Sequence, residues 1–410
     1  MATPHSRPRV DVAIVGLGAF GSAAACYLAR RGASVCGIDR YHPPHTLGSS
    51  HGSSRIIREA YAEDPLYVPW LRRAYTLWEE LEALSGRPLL ARSGGLMIGP
   101  RDSELVEGAR LSARSHGLAC DLLEPAEVAR RWPGTFSLPA GTVAVHDARA
   151  GVLAPEACIE AFLAAARQAG ADLRPGTELV SWRPRSAGVE LQLADGTALT
   201  ARRLVLAAGP WMAQLVPALA PHLQVARQVM HWFAPSAPAL AASLPIFVWE
   251  HQSPRIFYGF PDQGEGLKVA IHHDGELTTA DSVERQVAAA EVREVRLLCD
   301  RYLPGLCGDW LRSAVCLYTN TPDGHFLLTR HPEQPAVLLA SPCSGHGFKF
   351  APALGEALAD LALDRPPRLP LAPFSLERLT SSGAPLTRVR TGAARFSGEP
   401  RRDPDRPDRG

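Results

Sequence analysis

Val10–Gly21, VDVAIVGLGAFG, is the stretch from which the rest of the chain is read. Val10–Val15 is a short, almost continuously apolar run, which predicts a buried strand. Gly16, Gly18 and Gly21 follow at the spacing G-x-G-x-x-G, with Leu17, Ala19 and Phe20 between them. Ser22–Arg31 then predicts a helix stopped by Gly32, and Ser34–Ile38 a second strand ending at Asp39. The first glycine permits a tight turn, the second lets the backbone approach a pyrophosphate, and the third lets helix and strand pack closely. The helix N-terminus holds phosphates, and an acid at the end of the second strand accepts hydrogen bonds from a ribose. The stretch predicts a dinucleotide-binding unit without choosing between NAD and FAD.

Beyond this unit, helices are predicted at Pro65–Leu84, Ala154–Gln168 and Ala351–Ala362, with a helix start inside Leu122–Arg131. Val189–Thr200 alternates around Ala194-Asp195-Gly196, a hairpin signal, and Leu204–Ala208 predicts a separate buried strand. From Val225 to Leu317 the chain turns strand-rich and aromatic, with strands predicted at Val229–Phe233, Ile246–Trp249, Ile256–Phe260 and Leu267–His272. Val337–Leu339 predicts another. From Ser381 onward Ser, Gly, Pro and Arg dominate, so 381–410 is expected to be a disordered tail.

Composition excludes several classes. Hydrophobic residues at 46% and charged residues at 21% are ordinary for a globular chain, and 410 residues suffice for two domains. A net charge of +1 gives no basic footprint for nucleic acid or an anionic membrane. No run is long enough to cross a membrane, and the polar start of the chain does not read as a secretory signal. The eight cysteines are scattered without a C-x-x-C pair. That pattern points away from a disulfide framework or a zinc site and towards a reducing cytoplasm. Cys343-x-x-His346 has no second ligand pair at zinc spacing, so no metal is expected. No G-x-S-x-G elbow follows a strand, which removes the serine hydrolase reading.

Of the 43 Lys and Arg residues, only Lys268 and Lys349 are lysine. Arginine keeps the charge but is planar and does not deprotonate. A site that needs a compact ammonium or an adjustable pKa cannot use it. Both positions are therefore candidate functional residues before any motif is considered.

Five further segments carry a resemblance. They are Pro43–Arg58 (PPHTLGSSHGSSRIIR), Ser93–Leu96, Leu206–Trp211 (LAAGPW), Cys316–Asp323 (CLYTNTPD) and Ser344–Phe350 (SGHGFKF). Together, over about residues 9 to 380, they resemble the monomeric sarcosine oxidase and N-methyltryptophan oxidase family of flavoproteins, within the D-amino-acid-oxidase-like fold. Pro373–Leu379 looks more like the N-methyltryptophan members. The resemblance implies an α/β chain, α+β overall, in which a Rossmann-like FAD domain (1–90, 147–225 and 315–380) is interleaved with a substrate domain. The latter (91–146 and 226–314) is built on a mainly antiparallel sheet.

It also implies roles. Cys316 matches the cysteine that forms a thioether to the flavin 8α-methyl group. Arg58 and Lys349 match the pair that clamps the substrate carboxylate, and Lys268 the lysine over the opposite flavin face that activates dioxygen. His272 matches a histidine near the substrate amine, and His273 is expected to face solvent. Tyr318 and Tyr258 match tyrosines of the substrate pocket, with one residue fewer than the family pattern between Tyr258 and Lys268. His51 and Arg55 match groups lining the flavin ring; Ser54 replaces a threonine. Arg40, Ser50, Val180, Gly209, Gly345, Gly347 and Phe348, with the glycine turn and Asp39, complete the implied FAD contacts. His346 is read as flavin-loop structure. Trp232, Phe247 and Trp249 either line the pocket or belong to the core.

The implied activity is oxidation of a secondary α-amino acid by O2, giving an imine and H2O2, by a monomer with no macromolecular partner. N-methyltryptophan, sarcosine, cyclic and glycated amino acids all remain possible substrates. The alternatives are a flavin dehydrogenase passing electrons to a carrier and an FAD-binding protein without turnover.

Overall fold

The structure, a computed structural model, describes residues 9–381. The expected disordered tail lies outside the described residues, except for Ser381, which closes a short helix, Glu377–Ser381.

The opening unit has the predicted elements with shifted ends: a strand Arg9–Val15, a helix Ala19–Arg30, and a parallel strand Val35–Asp39. The helix begins at Ala19 because extended Gly18 is its N-cap. Two glycines are required by contacts within the protein. A Cβ on Gly16, whose φ is +89°, would lie 2.5 Å from the Ala207 carbonyl oxygen. One on Gly21 would lie 1.7 Å from that of Gly16. Gly18 differs, with Ser50 Oγ at 4.0 Å as its nearest neighbour. Its missing side chain leaves space that a ligand backbone approach would use.

The first sheet runs in the order Leu179–Arg185, Gly188–Leu193, Ala198–Leu206, Arg9–Val15, Val35–Asp39, Asp172–Pro175. Its centre is parallel. Leu204–Leu206 is no separate strand; it is the end of one nine-residue strand that starts in the hairpin at Ala198. The free edge of that end takes Val337–Ser341 in parallel. Three alanine-rich helices, Ala19–Arg30, Pro155–Gln168 and Ala351–Ala362, share one core. Small residues let them approach closely: a Cβ on Gly355 would sit 2.5 Å from that of Ala23. Leu354 and Leu358 are fully buried there, each worth about 1.5–3 kcal/mol relative to exposure.

The second sheet has nine strands. Gln224–Pro235 pairs antiparallel with Cys307–Asn320 on one edge and with Leu267–His272 on the other. Arg255–Gly259, Ile246–Gln252, Gly95–Pro100, Thr142–Asp147 and Cys120–Leu123 follow, antiparallel apart from the contact between Ile246–Gln252 and Gly95–Pro100. The strand Cys307–Asn320 runs through residue 315, where a domain cut was expected. Trp232, Phe247 and Trp249 are core residues, at most 1% exposed. Two long helices, Glu104–His116 and Ala289–Tyr302, had no counterpart in the sequence reading. The second buries only Val295, Cys299 and Tyr302 among charged residues, too thin a stripe to stand out.

Candidate active site

Two cavities meet at Ser49, Cys343 and Phe348, which line both. The smaller, of about 160 Å³, is bordered by Gly16, Gly18, Ala19, Phe20, Asp39, Arg40, Ser50 and Gly209. The larger, of about 470 Å³, is bordered by Arg55, Arg58, Tyr258, Lys268, His272, Cys316, Tyr318, Gly345, Gly347 and Lys349. Four implied cofactor residues line neither. Leu17 gives its backbone N–H to Asp39, and Gly21 packs the helix on the strand. His51 is buried, and Val180, 61% exposed, turns to solvent while the preceding Leu179 faces inward. The expected contact at Val180 is thus not brought to the cavity by its side chain.

Asp39 is shared between the turn and the small cavity. Its carboxylate accepts from Leu17 N at 2.7 Å and Tyr41 N at 2.8 Å, and burial raises its pKa. The joined cavities fit a dinucleotide carrying a ring system. The open face of Gly18 lies at one end, and Ser49 Oγ at the junction is buried with no partner among the described residues.

The wall of the larger cavity is one face of the second sheet, because alternate strand residues share a face. Lys268 and His272 are four apart on one strand, and Cys316 and Tyr318 two apart on another. Tyr258, on the next strand, pairs with Ala270 between the first two. The Lys268 ammonium is buried between the rings of Trp232 and Phe260. It donates to Gly52 O (2.7 Å), Ser54 O (2.9 Å) and Ser54 Oγ (3.1 Å), which engages all three of its donors. Burial pushes its pKa well below the usual lysine range, and the three acceptors gathered around one nitrogen oppose this by holding the ammonium form.

Arg55 donates to Ser49 O and Ser54 O and stands 3.6 Å from Cys316 Sγ. A fixed positive charge therefore lies beside a sulfur whose nucleophilic form is anionic. Of the eight cysteines, Cys316 and Cys343 line the cavities; Cys343 Sγ accepts from Thr319 N at 3.4 Å.

The third part of the site is a cationic fork already holding a carboxylate. Arg58 is buried and donates to both oxygens of Glu63, at 2.9 and 2.8 Å. Burial would raise the Glu63 pKa, but Arg58, His346 and Lys349 outweigh it and hold it at about 2. Lys349 is buried beside them; burial pushes its pKa down to about 7, with Glu63 opposing. His272 Nδ1 lies 3.1 Å from the Tyr318 hydroxyl, and burial drives its pKa well down, so the ring is neutral.

His273 is not solvent-facing. It lines the large cavity, its ring centroid 4.1 Å from that of His272 and 5.2 Å from that of Tyr318. The strand ends at His272, and His273 has φ +55°, which breaks the alternation that would have turned it away. Gly345, φ +75°, is closed over by the same rings: a Cβ there would meet Tyr318, His273 and His272 at 2.8, 2.9 and 3.0 Å. Glu63, Tyr61, His273 and Cys343 were missed as site residues. Only Glu63 left a trace, an acid five positions after Arg58.

The sequence pattern of the DAO family, FAD dependent oxidoreductase, matches residues 11–361. The chain is 40% identical over 384 residues to monomeric sarcosine oxidase of Streptomyces avermitilis, covering 92% of this chain and all of that one. It is 34% identical to N-methyl-L-tryptophan oxidase of Yersinia pestis, covering 90% and 99%. Its fold is similar to that of NikD, an amino acid oxidase essential for nikkomycin biosynthesis, with TM-score 0.78 at 22% identity over 90% of this chain and 97% of that one.

Proposed function

The chain belongs to the DAO family of FAD-dependent oxidoreductases, in the branch of the monomeric sarcosine and N-methyl-L-tryptophan oxidases, and from that premise we propose that it oxidises N-methyl α-amino acids with O2 as acceptor. The proposed overall reaction converts the N-methyl amine and O2 to an imine and H2O2, and water then splits the imine into formaldehyde and the primary amino acid. Bound FAD supplies the two-electron oxidation of the amine and the return of those electrons to O2.

The observation that carries this reading is the Arg58 fork. Its Nη2 donates to both oxygens of the Glu63 carboxylate while Nη1 is held by Ala60 O, beside Lys349 and in the cavity that also holds Lys268, His272 and Cys316. A substrate carboxylate takes the place of Glu63 on Arg58 and reaches the neighbouring Lys349, a recognition suited to a planar cation plus a point charge. Neutral His272, with Tyr318 and Tyr258, borders the substrate amine, and the cations Arg55, Arg58 and Lys268 facing the same cavity disfavour an ammonium there, so the amine binds in its oxidisable neutral form. Lys268 offers a fixed cation where negative charge develops on oxygen.

FAD is held by the small cavity and by the loop Ser344–Phe350, with a covalent bond from Cys316 Sγ to the flavin. The interleaved domains, the monomeric state and a cytoplasmic location belong to the same proposal. The eight cysteines, all unpaired, suit a reducing compartment. Among the described residues no helix is long and apolar enough to cross a membrane.

The test is anaerobic flavin bleaching across N-methyl, cyclic and glycated amino acids, followed by H2O2 yield in air. One H2O2 per substrate oxidised is expected for N-methyl amino acids. Bleaching without peroxide would favour the dehydrogenase reading, and no bleaching by any of them would sink the enzyme reading. Acid denaturation should release the flavin from Cys316→Ser but not from the native protein; flavin retained by the variant removes the thioether assignment.

A further inference from the structure

We propose that Tyr61 and His346 form a positioning pair that holds both cations of the carboxylate clamp, with the Gly324 carbonyl as its fixed end. The inference rests on Arg58 and Lys349 being that clamp.

The hydrogen-bond directions follow from an atom whose role is fixed. Gly324 O can only accept, and His346 Nε2 lies 3.0 Å from it, so the imidazole proton sits on Nε2. The ring is walled in by Phe326, Tyr67 and Tyr61, with centroids at 4.8, 5.5 and 5.8 Å. Burial pushes its pKa down to about 3, so it carries one proton only. Nδ1 is then an acceptor, and the Tyr61 hydroxyl 2.5 Å away donates to it. That phenol is itself buried and stays protonated. With its one proton committed to His346, the Tyr61 oxygen presents lone pairs to Lys349 Nζ, 3.5 Å away.

Lys349 gives a second donor to His346 O at 2.7 Å. One N–H of the ammonium is left for a ligand. The Tyr61 ring serves the other cation: Arg58 Cζ stands 4.6 Å from its centroid, with Lys349 Nζ at 5.2 Å. One side chain therefore touches both clamp residues, by its face and by its hydroxyl, and His346 sets which way the hydroxyl points. Were the His346 proton on Nδ1, the Tyr61 O–H would have to turn towards an ammonium that needs an acceptor. Neither residue has to meet the substrate.

The test uses the flavin-loaded enzyme and measures the Kd of propionate, a carboxylate without an amine, by flavin absorbance. Tyr61→Phe keeps the ring and loses the hydroxyl, and is expected to weaken propionate about tenfold. His346→Leu should weaken it by a similar factor, and the double variant by no more than about twofold beyond either single, because the two act in series. KM for an N-methyl amino acid should rise by a larger factor than the saturating rate of flavin reduction falls. His346→Gln, which keeps a donor and an acceptor, should recover part of the loss.

An unchanged Kd in Tyr61→Phe overturns the proposal. So does a double variant near a hundredfold, the product of two independent losses. Tyr61→Phe removes a single oxygen and carries the test if a His346 variant fails to fold. Arg58→Met is the control for the reading beneath: if it leaves propionate affinity unchanged, the clamp itself is wrong, whatever Tyr61 does.

Discussion

Lys268 and Lys349 line one cavity, and both are buried, but their surroundings differ in kind. Lys268 has spent its three donors on two backbone carbonyls and a serine hydroxyl of the segment Gly52–Ser54. Lys349 has two protein acceptors, one of them at 3.5 Å, and an anionic neighbour in Glu63, which is held by Arg58. A cation whose donors are all engaged can act on a reacting molecule only through its field. A cation with a donor left over, beside a carboxylate that can be exchanged, is built to change partners. The contrast also bears on why arginine occupies neither position: a flat fork does not fit three acceptors gathered around one nitrogen, nor can it titrate.

Lys268→Met should slow flavin reoxidation by O2 about 10²–10³-fold, the order found when a preorganised charge or donor is removed. Flavin reduction should fall less than tenfold. Stopped-flow measurement of both half-reactions decides it, and equal losses in the two would erase the distinction between the lysines.

The next effect is a pH dependence at Lys349. Its pKa is pushed down to about 7 by burial, while Glu63 stays ionised far below that and His272, His273 and His346 are already neutral. Protonated Lys349 helps to bind a carboxylate, so propionate affinity should weaken as pH rises through about 7, by at most tenfold per unit. A bound anion favours the ammonium and moves the midpoint of the complex upward. Titrations from pH 6 to 9 should show this slope in the native protein and a flat line in Lys349→Met. A slope that survives in the variant would assign the proton elsewhere.

The smallest effect concerns Glu63. A ligand carboxylate must displace it from Arg58, so Glu63→Gln should tighten propionate about threefold to tenfold. Weaker binding in this variant would mean that Glu63 holds Arg58 in its working position and does not compete for it.

The parts of this arrangement differ in how far they could be read from the chain. The turn at Gly16–Gly21 was legible because local backbone geometry dictates its residue types, and Ala351–Ala362 because its apolar run has clear ends. Alternation along Leu267–His272 places Lys268 and His272 on one face, but it does not say whether that face meets a cavity or a core. Hence Trp232 and Trp249 could not be told from pocket residues, although both are core. His273 escaped because a single positive φ reverses its direction, and the turn dipeptide Asp274-Gly275 just after it marks a turn without saying which way the histidine points. The engagement of Arg58 by Glu63, and the reach of Tyr61 to His346 across 285 positions, are products of the fold alone.

A carboxylate held by Arg58 and Lys349 puts the amine in place for oxidation. The direct measurement compares anaerobic flavin bleaching by N-methyl-L-tryptophan with that by N-methyltryptamine, the same amine without its carboxylate. Loss of the carboxylate is expected to lower the second-order rate of bleaching by at least about 10²-fold, the value of one or two charge-assisted contacts to a buried guanidinium. Equal rates for the two amines would contradict it.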